Sequence, residues 1–371
     1  MSDLVVVGDS AVHELLIGLS KDEILDFQRD LAQSLMHVSV QNEGQYQPVA
    51  GVVNRPDGQK VLFRSFTSPE LVGTKIIVDA APAFDADGGK VQSPLRGMLS
   101  LVDASGAPKG LVNAAGVTAF RTSLCALIPY MWRRDTESIL VFGAGKQALW
   151  HIRLALALRG SEIKSIVAVN RSGSTASAMI DTLKAENGRY WKSSAELTFL
   201  DSSRPGSKER LAQLTAGADV IFCTVPSTAQ LFSLDDVLGG GERRRNPLIS
   251  AIGAWQPQMI ELDPEILRYA ARKEGAVLVD NRHEVRESTG EGIGAALEDG
   301  QLIEVGQVLD WKSDRPTSPR GALSPAQVDA WTSHGFAVYK SVGVSVTDLV
   351  SGSKILDLAK EKNVGTLVSN F

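Results

Sequence analysis

The chain has 371 residues, 43% of them hydrophobic and 22% charged, enough length for two domains with separate cores and the composition of an ordinary globular protein. A formal net charge of −5 argues against a broad nucleic-acid surface. No apolar run approaches the roughly 18–20 residues of a membrane span, and the opening MSDLVVVGDSAVHELL lacks the basic region of a secretory signal, so a cytoplasmic location is expected.

Residues 11–36 read as helical, with apolar positions at Leu15, Leu16, Ile24, Leu25, Phe27, Leu31 and Leu35. Segments 60–66, 72–79 and 97–103 read as strands, the last two separated by the turn-rich AAPAFDADGGKVQSPLRG, and GAPKG leads into another strand at 110–114. Thr118 is a candidate N-cap for an apolar helix running to Trp132, which places Arg121 in its first turn. Cations are disfavoured there by the helix dipole, so a bound anion would explain the arginine. From residue 138 the pattern becomes strand (SILVFGAG), helix (147–158), strand (SIVAVNR), helix (174–186), strand (ELTFL), helix (208–215) and strand (ADVIFCTVPS), with LISAIGAW and AVLVDN as further apolar strands. Nearly all-apolar strands alternating with helices indicate a parallel sheet covered on both faces. Residues 335–364 return to helix. The expected architecture is α/β: a doubly wound, dinucleotide-binding (Rossmann) domain at 130–325, and a second α+β substrate and dimerisation domain built from 1–129 and the tail 326–371.

Gly143-Ala144-Gly145-Lys146-Gln147-Ala148 fits G-x-G-x-x-A between a strand and a helix. Gly143 permits the tight turn, Gly145 lets backbone approach a pyrophosphate, and Ala148 allows close helix–strand packing. The helix N-terminus beyond offers N–H groups and a favourable dipole to phosphate. A purely structural turn is the alternative, but the strand–turn–helix context favours the nucleotide. The following strand ends in Asn170-Arg171-Ser172, where an NAD-binding fold usually places an acid. Asn170 removes a charge that would repel a 2′-phosphate and Arg171 supplies a positive one, so NADP(H) is favoured, with NAD(H) the alternative. Methyltransferases also use a Gly-rich turn, but a denser glycine run and an acid at the second strand end are missing. Thr224 and Pro226 end the strand VIFCT where a doubly wound fold holds its cofactor. Cys125 and Cys223 lie in apolar contexts and read as buried free thiols. Five scattered histidines and no CxxC pair offer no metal site. Arg243-Arg244-Arg245, in a Gly-rich loop, reads as a solvated run or an anion contact.

In this order, GTKIIVD, GVTAFRTSLCAL, VFGAGKQA, VNRS, ADVIFCTVPS, IGAWQPQMIEL, LIEVGQVL and YKSVGVSVTDL resemble the ornithine cyclodeaminase/mu-crystallin family over about residues 70–365. The resemblance implies a homodimer paired through the non-nucleotide domain, with a substrate cleft facing the nicotinamide. It also implies a small amino or imino acid as substrate and oxidoreduction at its C=N or CH–NH bond. Lys75 matches the family's active-site lysine and Arg121 the arginine that grips the substrate carboxylate. Read without the family, Lys75 could equally be a solvent-facing strand lysine. Two departures stand out. Trp255 occupies the position where cyclodeaminases carry an acid/base aspartate, and so becomes a pocket residue. A second carboxylate-binding arginine is missing near residue 50, leaving Arg55 or Arg64 as substitutes. Ser341, Val342, Gly343 and Asp348 match the segment that passes near the nicotinamide. The competing readings are a non-catalytic NADPH and small-ligand binder of the mu-crystallin kind, and a cyclodeaminase.

Overall fold

The computed structural model describes residues 3–84, 90–91, 95–240, 245–321 and 323–371, and the chain divides into two units, 1–121 with 344–371, and 122–343. In chain order the first stretch supplies β1 (Leu4–Val7), α1 (Asp9–Ile17), α2 (Lys21–Val40), β2 (Gly51–Asn54), β3 (Lys60–Thr67), β4 (Leu71–Asp79), β5 (Ala83–Phe84), β6 (Lys90–Val91), β7 (Arg96–Asp103), β8 (Pro108–Asn113) and α3 (Ala114–Trp132). Then come β9 (Ser138–Phe142), α4 (Lys146–Arg159), β10 (Ser165–Asn170), α5 (Gly173–Glu186), β11 (Glu196–Asp201), α6 (Ser207–Gly217), β12 (Val220–Cys223), α7 (Leu234–Leu238) and β13 (Leu248–Ala251). They are followed by α8 (Pro264–Glu274), β14 (Val277–Val279), α9 (Arg282–Ser288), α10 (Gly290–Ala295), β15 (Leu302–Glu304), α11 (Val305–Trp311), α12 (Pro325–His334) and β16 (Ala337–Lys340). The returning segment adds α13 (Val346–Glu361) and β17 (Thr366–Val368).

In the first unit a seven-stranded sheet has the order β17-β1-β8-β7-β4-β3-β2. Its strands alternate as a half-covered sheet should: Arg64, Phe66, Gly73, Lys75, Leu99 and Leu101 are buried, whereas Phe63, Val72 and Met98 are exposed. The covered face packs on α13, closely enough that an added Cβ on Gly352 would lie 2.4 Å from Leu99 Cδ2. The single helix expected over 11–36 is two helices. Gly18 ends α1, and Ser20 opens α2 with a reciprocal capping box to Glu23, a pairing that satisfies two otherwise orphaned donors.

The second unit holds an eight-stranded, wholly parallel sheet in the order β11-β10-β9-β12-β13-β16-β14-β15. Its first five strands follow the doubly wound 3-2-1-4-5 order, with β16, the last of the sheet in chain order, in the sixth place beside β13; the topological switch point lies between β9 and β12. Both sheet faces are apolar: Leu140, Ile221, Ile249, Val277 and Val338 are buried on one, and Ile139, Val141, Val220, Phe222 and Leu248 on the other.

The tail departs from the sequence expectation, because FAVYK forms β16 and not helix. Its pairing with β13 and β14 carries the second unit through Gly343, past the expected limit of 325, while the first unit stops at Arg121, within α3, and not at 129. That helix also starts earlier than expected: Asn113 Oδ1 accepts from Ala115 N at 3.0 Å, and Thr118 lies inside the helix. Cys125 and Cys223 are buried and form no disulfide. Arg243 and Arg244 lie outside the described residues, while Arg245 is within 3.3 Å of Glu137 and 3.5 Å of Asp135. Among the described residues no helix is long and apolar enough to cross a membrane.

Candidate active site

The first unit gathers three cations around one carboxylate. Arg64 on β3 and Lys75 on β4 are directly opposite in the antiparallel register and share the covered face. Arg121 joins them from α3, and Asp348 from the first turn of α13, where the helix dipole favours an acid. Asp348 Oδ2 accepts from Lys75 Nζ at 2.6 Å and Oδ1 from Arg121 Nε at 2.9 Å. Arg64 is 7% exposed, Lys75 3%, Arg121 5% and Asp348 0%. Burial draws the Lys75 ammonium down to about 7; Asp348 opposes that shift, while Arg121 and Arg64 add to it. Burial resists ionisation of Asp348 as well, yet Arg121 and Lys75 keep its carboxyl below the ordinary value. Like charges opposite each other in a sheet are unfavourable. Asp348 is ion-paired with both Lys75 and Arg121, and Arg64 adds a third positive charge beside them.

This geometry corrects one expectation. Arg121 lies two turns into α3, not in its first turn, so the helix dipole gives no reason for an anion beside it; its counterion is Asp348 of the chain itself. It also separates the two candidate arginines, because Arg64 is in the cluster while Arg55 sits exposed at the β2–β3 turn.

In the second unit, β9 runs into Gly143 with φ +118°, a conformation that favours glycine. An added Cβ there would meet Thr224 Oγ1 at 2.8 Å and Val225 Cγ1 at 3.0 Å. Thr224 Oγ1 donates to Phe142 O at 2.7 Å, tying the two strand ends at the switch point together. Gly145 is the N-cap of α4 with no side-chain cap, and a Cβ on it would meet nothing within 4 Å. Ala148 is fully buried beneath the turn, while Gly145 and Lys146 are exposed and Ala144 and Gln147 half-buried. Open space over an uncapped helix N-terminus at the switch point fits a pyrophosphate.

At the end of β10, Asn170 Nδ2 donates to Ser172 O at 3.0 Å. Ser172 caps α5 and shares its hydroxyl with Ser174 and Thr175; Arg171 is exposed. The acid missing from this strand end stands one strand over. Asp201 pairs with Asn170 in the β10–β11 register and would lie 2.7 Å from a Cβ on Gly173. Its oxygens accept from Ser203 N, Ser203 Oγ and, at 3.2 Å, Arg204 Nε. Its only sequence signal is an acid closing an amphipathic strand.

Ser341, Val342 and Gly343 are held by an acid that the sequence reading missed. Asp280, directly after β14, accepts from Ser341 Oγ at 2.7 Å, Val342 N at 3.1 Å and Gly343 N at 2.6 Å, and Gly343 has φ +107°. Pro226 is exposed, and Trp255 is half-buried in the loop after β13. Glu261 lies in the loop before α8, which begins at Pro264, and its carboxylate folds back to accept from Gly253 N at 2.6 Å and Ala254 N at 2.9 Å.

Residues 68–363 match the model of the ornithine cyclodeaminase/mu-crystallin family. A Dictyostelium discoideum protein described as an uncharacterized cyclodeaminase is 27% identical, the match covering 81% of this chain and 79% of the relative. A Bacillus cereus delta(1)-pyrroline-2-carboxylate reductase is 22% identical, with 81% of each chain covered. An archaeal alanine dehydrogenase dimer with bound NAD shares the fold at a TM-score of 0.72 and 17% identity, covering 100% of both chains.

Proposed function

Since the chain belongs to the ornithine cyclodeaminase/mu-crystallin family, we propose that this NAD(P)H-dependent, imine-reductase-like oxidoreductase reduces the C=N bond of a small imino acid, or oxidises the corresponding amino acid in reverse. The observation that carries the reading is the concentration of buried positive charge that Arg64, Lys75 and Arg121 bring to Asp348. A substrate carboxylate is the anion that balances it. Arg121, oriented through Nε by Asp348, carries the planar fork suited to bidentate grip. Arg64 takes the place of the arginine that the sequence lacks near residue 50. A bound nicotinamide supplies or accepts the hydride. Lys75, with its proton affinity drawn to about 7, gives a proton to the substrate nitrogen or takes one from it near neutrality.

Asn170 and Arg171 favour NADP(H) over NAD(H), because Asp201 is engaged by Ser203 and Arg204. Ala144, Gly145, Lys146 and Gln147 hold the phosphates, Thr224 and Pro226 flank the cofactor, and Ser341 and Val342 face it through Gly343. By the resemblance, Trp255 is a pocket residue. The uncovered face of the seven-stranded sheet supports a homodimer: Val53, Phe63, Val72 and Met98 share it and are 45%, 40%, 39% and 45% exposed, a contiguous apolar patch of the kind that marks a protein–protein contact. Sedimentation equilibrium checks it, and a monomer at micromolar concentration rejects it. A cytoplasmic location is consistent with the two buried free thiols.

Cyclic and acyclic ketimines that carry a carboxylate, incubated with NADPH and followed at the nicotinamide absorbance, test the function. Turnover by the native chain and its loss in Lys75→Met, with cofactor affinity kept, is the expected result. Absence of oxidation with every ketimine turns the reading to a non-catalytic binder. Full activity in Lys75→Met makes Lys75 an ordinary strand lysine.

A further inference from the structure

A second buried charge cluster lies among the nucleotide loops, apart from the groups assigned above. Glu261, Glu291 and Lys340 are each 0% exposed. Lys340, the last residue of β16, places Nζ 3.0 Å from Glu291 Oε1 and 3.6 Å from Glu261 Oε2, and donates to Ala254 O at 2.8 Å. Glu261 accepts from three backbone N–H groups on two loops: Val225 after β12 at 3.2 Å, and Gly253 and Ala254 after β13 at 2.6 and 2.9 Å. The loops touch backbone to backbone there. An added Cβ on Gly253 would lie 2.2 Å from Val225 O and 2.6 Å from Glu261 Oε1. Ile260 N donates to Ser227 O at 2.9 Å and Leu231 N to Glu261 O at 2.8 Å, lacing the same two segments together.

The neighbours of this carboxylate are the residues assigned to the cofactor and pocket. Val225 lies between Thr224 and Pro226, Ala254 precedes Trp255, and Lys340 precedes Ser341. We propose that the ionised Glu261 carboxylate is a positioning residue, holding the loops after β12 and β13 in the arrangement that dinucleotide binding requires. The proposal rests on the dinucleotide reading above. Glu261 reaches no substrate, since it is sealed from solvent and its oxygens already serve the backbone.

An ionised carboxylate accepts from all three N–H groups, whereas a protonated one has an O–H where an acceptor is needed. Burial raises the Glu261 carboxyl to about 7, with Glu291 adding to the rise and Lys340 and the Ala254 and Gly253 N–H groups opposing it. The other titratable group facing it is Cys223 on β12, whose thiol is pushed up by burial and by Glu261 itself. The clamp therefore closes as pH rises through neutrality and loosens as it falls.

Two measurements test this between pH 5.5 and 8.5. One is NADPH affinity by fluorescence titration; the other is amide hydrogen exchange of the 223–231 and 250–262 peptides in the cofactor-free protein, corrected for the intrinsic rate. The native chain is expected to bind more tightly, and to protect both peptides more, at the alkaline end. Glu261→Gln weakens binding about tenfold at pH 8, the scale of one charge-assisted hydrogen bond, and flattens both profiles. Glu291→Gln keeps the clamp but moves both transitions to lower pH, because a like charge is gone. Profiles of the native chain and Glu291→Gln that coincide, or protection independent of pH, overturn the proposal while the dinucleotide reading stands. Native chain that binds no dinucleotide at any pH overturns both.

Discussion

The two buried charge clusters are equally hidden from water but answered in opposite ways. In the first unit Asp348 faces three cations, and side chains alone supply its partners. In the second, two carboxylates face one lysine, and Glu261 is satisfied chiefly by backbone N–H groups. Burial therefore does not distinguish a ligand site from a structural one; the partner of each charge does. Backbone donors cannot leave, so the second cluster fixes its loops. Side-chain cations can turn to a second acceptor, so the first cluster is open to the anion proposed for it.

The sharpest way to break this contrast is to remove a cation. Arg121→Met should lower kcat/KM for an imino acid by about 2–5 kcal/mol, the usual loss when one partner of a buried hydrogen-bonded ion pair is truncated. NADPH affinity should stay unchanged in titration; an equal loss of cofactor affinity would assign Arg121 to the nucleotide instead. The contrast also forbids a reaction. If Glu261 and Glu291 are sealed, neither can move protons during ammonia loss, and by the resemblance Trp255 stands where cyclodeaminases carry an acid/base aspartate. Lack of that carboxylate, with Lys75 left as the proton-transfer group, should cost roughly a hundredfold to ten-thousandfold in rate, so ornithine should give no significant proline or ammonia with either cofactor. Proline formation at about 1 per second or faster would mean that another group supplies the proton path.

A third test concerns Asn170 and Arg171. NADPH should bind about tenfold to a hundredfold tighter than NADH, the value of an Arg–phosphate pair, and Arg171→Ala should erase the difference; equal affinities in the native chain reject the assignment. The smallest effect is a shift in pH profile. Imine reduction needs protonated Lys75, so kcat/KM should fall as pH rises through about 7. In Arg64→Met that limb should move to higher pH, because a neighbouring positive charge no longer disfavours the ammonium. An unmoved limb separates Arg64 from the cluster.

Much of this was legible from residue order. Apolar strands alternating with helices specified the doubly wound sheet, and Gly143 and Gly145 marked its first strand-to-helix turn because their conformational roles are local. What escaped was decided by distant partners. FAVYK, buried between β13 and β14, has no period-2 signature to separate it from buried helix. The break after Gly18 was readable in S-K-D-E, a capping-box spacing, but a continuous apolar period ran across it. Asp348 is named by resemblance, yet its contacts with Lys75 and Arg121 span 273 and 227 positions of chain. Glu261 lies beside the next helix in sequence, and nothing local says that its carboxylate turns back to Gly253.

The unit that holds Lys75 and Arg121 is discontinuous, and Asp348 comes from its returning segment. During translation residues 122–343 leave the ribosome before that segment does. The doubly wound sheet can collapse early, its strands all lying within that stretch, whereas β1 must wait for β17, and Lys75 and Arg121 for their carboxylate. A nascent chain thus holds unneutralised cations on an unfinished sheet until α13 arrives.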